Sequence, residues 1–124
     1  MDNKKILIVD DDADTQLILS TRLKSNHYHT VFAADALQAM SVALKEQPDA
    51  ILLDLGLPGG NGLMVLKRLK ANTSLSGIPV IIVTVEDPQT AEDLAIQAGA
   101  VAFLQKPVAQ DKLMAAVQLA LSTT

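Results

Sequence analysis

Four short apolar runs punctuate the chain, at Ile6–Val9, Ala50–Leu53, Val80–Val85 and Val101–Leu104. A strand that is apolar on both faces has to be covered on both faces, and a parallel sheet between two layers of helix meets that need. A fifth run, Tyr28–Ala34, mixes polar and apolar residues and reads as an edge strand. Between the runs, apolar residues recur at helical spacing. Leu37, Met40 and Leu44 share one face, and so do Ala91, Leu94, Ala95 and Ala98. Leu113, Ala116, Val117, Ala120 and Leu121 form the longest stripe. Asp87-Pro88 has the form of an N-cap followed by proline in the first turn. Gly99 stands where a helix ends in a left-handed residue. Pro58-Gly59-Gly60-Asn61-Gly62 reads as a loop. The alternation predicts an α/β fold, a single (βα)5 domain over residues 1–124 with an open parallel sheet and right-handed crossovers.

Composition narrows the chemistry. Aromatic residues are only 2% of a chain that is 49% hydrophobic, so the core must be aliphatic, with the methionines as fillers. There is no cysteine, which excludes disulfides and thiolate metal sites. A net charge of −4 argues against direct nucleic-acid binding. The one basic cluster, Lys67-Arg68-Leu69-Lys70, reads as a solvated helix face. No run is long enough to insert in a membrane, and no secretory signal follows Met1. The expectation is a cytoplasmic protein. The chain stops soon after its fifth helix, at "LSTT", so no output domain is expected within it.

The polar residues at the carboxyl ends of the strands then stand out. The first strand ends in Asp10-Asp11, the third in Asp54, the fourth in Thr84 and the fifth in Lys106. In a parallel sheet these ends lie along one edge, where open α/β sheets bind their ligands. Carboxylates gathered there repel by roughly 4 kcal/mol per close pair at an effective dielectric near 20. Lys106 offers one compensating charge, and a divalent cation would supply more. With oxygen ligands only, Mg²⁺ is favoured. A cation beside carboxylates, a lysine and a hydroxyl suits phosphoryl transfer to a carboxylate nucleophile.

The stretches "VDDD" (9–12), "LLDLGLPGGNG" (52–62), "IIVTVED" (81–87) and "FLQKP" (103–107) occur in this order at these strand ends. Together they make the chain resemble a response-regulator receiver domain of bacterial two-component signalling, with a flavodoxin-like fold. The resemblance spans nearly the whole chain. It implies the strand order 2-1-3-4-5 and assigns Asp54 as phosphoacceptor. It implies Asp11, Asp54 and the Gly56 backbone carbonyl as Mg²⁺ ligands, with Asp10 acting through water. Lys106 would contact the phosphoryl group, Thr84 would move toward it, and Phe103 would be the aromatic switch as well as a core residue. The Lys106-Pro107 peptide bond would be cis. Implied partners are a sensor histidine kinase or histidine phosphotransfer protein as donor. A downstream partner or second copy would read the face made by the fourth helix, fifth strand and fifth helix, roughly Pro88 to Thr124.

Two departures from the family pattern bear on function. Val85 follows Thr84 where Ala or Gly is usual, and its branched side chain should slow phosphoryl access. Asn61 replaces a common Asp and affects loop shape more than chemistry. Helix capping alone accounts for Asp12 and Asp14, but not for Asp54 and Lys106. His27 and His29, early in the edge strand, should face solvent. Two other functions stay in view. One is a small phosphatase of the haloacid-dehalogenase type, with Asp10 as nucleophile; the other is a receiver fold used as a phosphorylation-independent interaction module.

Overall fold

In the computed structural model, residues 3–58 and 62–122 are described. Among these residues, ten elements alternate without exception. They are β1 (Lys5–Val9), α1 (Ala13–Lys24), β2 (His29–Ala33), α2 (Ala36–Glu46), β3 (Ala50–Leu53), α3 (Gly62–Ala71), β4 (Val80–Thr84), α4 (Pro88–Gln97), β5 (Ala102–Gln105) and α5 (Gln110–Leu121). The sheet order is β2-β1-β3-β4-β5, all parallel. The mixed second strand is one edge, as expected, but the apolar fifth is the other, only partly buried and with Val101 exposed before it, so apolar composition alone did not mark a strand as interior.

Strand residues alternate between two cores. Leu7, Val9, Ile51, Leu53, Val80 and Ile82 face α2, α3 and α4 through Ala39, Ala43, Val65, Leu66, Leu69, Ala91 and Ala95. Ile6, Ile8, Ala50, Leu52, Ile81 and Val83 face α1 and α5 through Leu19, Leu23, Leu113, Val117 and Ala120. Every residue of β1 after Lys5 is therefore buried, and the same holds for β3 and β4. Truncating a fully buried leucine such as Leu66 to alanine should cost about 2–5 kcal/mol.

Local signals set the boundaries. Asp12 caps α1, its carboxylate accepting from the N–H groups of Asp14 and Thr15, and Asp14 lies in the first turn. Asp87 caps α4 and Pro88 opens it. Gly99 has φ 113°, where an added Cβ would come within 2.9 Å of the Lys70 side chain. The Lys106-Pro107 bond is cis.

Several expectations need correction. Leu37 and Leu44 share a face, but it points outward, with Leu37 82% exposed. Ala39 and Ala43 are the buried positions of α2, because a helix packed close to a sheet favours small side chains there. Leu94 likewise projects from α4, while Ala91 and Ala95 pack inward. Met64 is half exposed, although Met40 and Met114 do pack against the cores. Gly62 does not belong to a loop; it is the first residue of α3. Gly59, Gly60 and Asn61 lie outside the described residues, as do Thr123 and Thr124 at the end of the expected output face. In the basic cluster Lys67 and Arg68 are solvated, but Lys70 donates to the Ser76 and Ile78 carbonyls at 3.2 and 2.9 Å. Partial burial lowers the pKa of that ammonium. His27 and His29 are exposed, yet His27 sits in the turn before β2 with a left-handed φ of 70°.

Candidate functional site

The site grows out of the strand register. Val9 pairs with Leu53, so the residues that follow them, Asp10 and Asp54, leave the sheet side by side. The Asp54 N–H still donates to the Val9 carbonyl, and that of Asp10 to the Ala33 carbonyl, both at 3.0 Å. Both acids are buried, at 2% and 7% exposure. Lys106 follows β5, with its N–H on the Thr84 carbonyl at 2.7 Å. From there its side chain reaches Asp10 Oδ2 at 2.7 Å and Asp54 Oδ2 at 3.0 Å. The remaining carboxylate oxygens are held by backbone. Asp10 Oδ1 accepts from the Asp12 N–H at 2.9 Å, and Asp54 Oδ1 from the Gly56 N–H at 3.0 Å.

The electrostatics are unbalanced. Burial pushes the Asp10 carboxyl up, against the lowering effect of the Lys106 and Asp12 hydrogen bonds. Burial alone would lower the Lys106 ammonium, but its bonds to Asp10 and Asp54 outweigh that and hold it above the ordinary lysine value. The two directions agree physically, because Lys106 collects from two carboxylates while Asp10 shares one ammonium. Asp11 is exposed at the mouth of the site, and carboxylate oxygens of Asp10, Asp11 and Asp54 lie within 4.8 Å of one another. Three carboxylates against one ammonium leave two negative charges on the group. An all-oxygen donor set with that excess fits a hard divalent cation, of which Mg²⁺ needs only one or two carboxylates and otherwise keeps water.

Thr84 ends β4, fully buried, its hydroxyl accepting from the Glu86 N–H at 3.4 Å. Phe103 is partly buried against the core shared with α2, α3 and α4. Val85 is 69% exposed and lines a groove with Lys106, Pro107 and residues of α1. Three supports escaped the sequence reading. Gln16 Nε2 donates to the Asp10 carbonyl at 2.6 Å, Arg22 binds the loop after Lys106, and Gly62 lies directly against the Asp54–Leu55 backbone. None carries a sequence signal of its own: Arg22 acts across 86 residues, and Gln16 and Gly62 act on backbone beyond the reach of a capping or turn motif.

A family model described as response regulator receiver domain matches residues 6–118. The chain is 36% identical over 118 residues to sporulation initiation phosphotransferase F of Bacillus subtilis, covering 95% of this chain and 94% of that one. It is 34% identical over 115 residues to the DNA-binding response regulator MtrA of Mycobacterium tuberculosis, covering 93% of this chain. It spans only about half the length of that relative, 49%. Among solved structures, it is similar to the receiver domain of sensor histidine kinase PA1611 from Pseudomonas aeruginosa, described with magnesium in its active-site cleft. That match has a TM-score of 0.89 and 28% identity, and it covers 98% of this chain and 100% of the other.

Proposed function

The chain belongs to the response regulator receiver domain family of two-component signalling, and from that premise we propose that it is a switch thrown by a phosphoryl group on Asp54. The observation that carries this reading is the Lys106 ammonium bridging two buried carboxylates, with a third acid within reach. A phosphohistidine on a sensor kinase or phosphotransfer protein is the donor. A carboxylate oxygen of Asp54 attacks phosphorus, an O–P bond forms, the donor N–P bond breaks, and the histidine nitrogen regains a proton. Lys106 shifts a hydrogen bond from carboxylate to phosphoryl oxygen, holding developing charge. Asp11, Asp54 and the Gly56 carbonyl would hold Mg²⁺, with Asp10 acting through water. Bound there, the ion supplies positive charge to the phosphoryl oxygens. Hydrolysis reverses the switch: water attacks phosphorus and inorganic phosphate leaves. The chain catalyses these steps on itself and is otherwise a signalling module, not an enzyme.

The Thr84 hydroxyl is free to exchange the long bond from Glu86 for a phosphoryl oxygen, and Phe103 follows it. That shift changes the face made by α4, β5 and α5, which a downstream partner or a second copy reads. No direct nucleic-acid contact is assigned to the chain. Among the described residues, no helix is long and apolar enough to cross a membrane. The exchange with a phosphohistidine donor is proposed to take place in the cytoplasm.

Acetyl phosphate with Mg²⁺, read by intact mass, tests the reading. Wild type should gain one phosphoryl group and Asp54→Asn none. Label mapped to Asp10 would indicate the aspartate-nucleophile phosphatase. Absence of label, and of Mg²⁺ and beryllofluoride binding, would leave a constitutive interaction module.

A further inference from the structure

The loop that carries Lys106 is short of local anchors. Residues 106–109 join β5 to α5, and the first is fixed by its own N–H on the Thr84 carbonyl. The last, Ala109, is the N-cap of α5, where no side chain makes a capping hydrogen bond. The far anchor comes from α1 instead. Arg22 Nη1 donates to the Val108 carbonyl at 2.6 Å, across 86 residues of chain. A charge-assisted bond is about twice as strong as a neutral one. Gln16, on the same helix, holds the Asp10 carbonyl. One helix thus grips both sides of the ion pair. Thr15, Ile18, Leu19 and Val83 line the groove between α1 and the loop, about 300 Å³ in volume. Val108 also packs against the core shared with α1 and α5, but that apolar contact is non-directional and leaves the aim of its carbonyl to Arg22.

We propose that Arg22 is a positioning residue for phosphoryl transfer, holding Lys106 over Asp10 and Asp54 through the Val108 carbonyl. The inference rests on the phosphoacceptor reading above. The Lys106 stem spans from the end of β5 to two carboxylates at 2.7 and 3.0 Å, so the place of its backbone limits whether one ammonium can meet both at once. If the loop drifts, Lys106 keeps its charge but loses its alignment with the reacting oxygens.

The test measures phosphorylation of the full chain by acetyl phosphate with Mg²⁺, in wild type, Arg22→Ala, Arg22→Lys and Lys24→Ala. Lys24 is an exposed cation of the same helical turn and controls for charge alone. Arg22→Ala should lower the saturating rate constant by roughly tenfold, with KM and Mg²⁺ affinity within about twofold of wild type. Arg22→Lys, which keeps a donor, should recover most of the rate, and Lys24→Ala should match wild type. Folded fraction is measured alongside by circular dichroism. A wild-type rate in Arg22→Ala would overturn the proposal. So would an equal loss in Lys24→Ala, or a loss that follows the unfolded fraction without rescue by lysine. If Arg22→Ala does not fold, Arg22→Lys against Arg22→Gln decides by the same criteria. A wild-type chain that took no phosphoryl group would instead sink the phosphoacceptor reading.

Discussion

Replacing Gly62 with alanine should damage both the fold and the site, and the size of the effect follows from geometry. A Cβ at this position would overlap the Asp54 carbonyl oxygen and come within 2.5 Å of Leu55 Cα and 2.9 Å of the Asp54 carbonyl carbon. The nearest carbon pair falls about 1 Å short of ordinary contact. All three atoms are backbone, so no side chain can swing aside. Overpacking of this kind costs about 1–3 kcal/mol. The bond from the Gly62 N–H to the Leu55 carbonyl, at 2.8 Å, is also at risk and adds about 1 kcal/mol. Alanine's better helix propensity returns less than about 1 kcal/mol at a first-turn position. A net loss of about 2–3 kcal/mol is expected, or roughly 10 °C in Tm for a chain of this size. Relief requires the Asp54–Leu55 segment to move, which shifts the Asp54 carboxylate against Lys106. Displacement by 1 Å can cost on the order of a hundredfold in rate. Urea denaturation and acetyl phosphate labelling give the two readouts. Gly77→Ala is the control, since nothing lies within 4 Å of its added Cβ, and it should be neutral or stabilising by up to about 1 kcal/mol. If Gly62→Ala matched wild type in both assays, close backbone approach would not be what sets Asp54 in place.

Val85→Ala should speed phosphorylation and hydrolysis several-fold in timed labelling and chase, since Val85 stands exposed beside Lys106; unchanged rates would show that it does not gate access. Mg²⁺ at about a hundred times its Kd should stabilise the protein by about 2.7 kcal/mol in thermal melts, and Asp11→Asn should remove most of that gain. His27→Gly should stabilise by about 1 kcal/mol in urea, because His27 is exposed and held at φ 70°. The hydrogen bond from Lys5 holds the Glu46 carboxyl below its ordinary 4.5, so the folded state binds that proton less tightly than the unfolded chain. Its contribution is complete above pH 4.5 and fades as pH falls through the lowered value; Glu46→Gln should flatten that part of the acid-unfolding curve.

The residues alone determined the alternation of strands and helices and the polar residues that end four of the five strands. Both are local properties: a strand's burial is written in its own side chains, and a cap in its own few residues. Asp12, Asp87 and Gly99 were legible for that reason. Neighbour order was not, and the 2-1-3-4-5 sheet was foreseen only through family resemblance. That order sets Asp10 beside Asp54 and lets Lys106 reach both from the far side of β4. The outward turn of Leu37 and Leu44 was hidden as well, because periodicity shows that a helix has an apolar stripe but not which stripe the sheet will cover. Arg22 on Val108, 86 residues apart, belongs to the same class. Such contacts arise only when the whole chain buries its core, and that burial, not local backbone preference, chooses which distant residues meet.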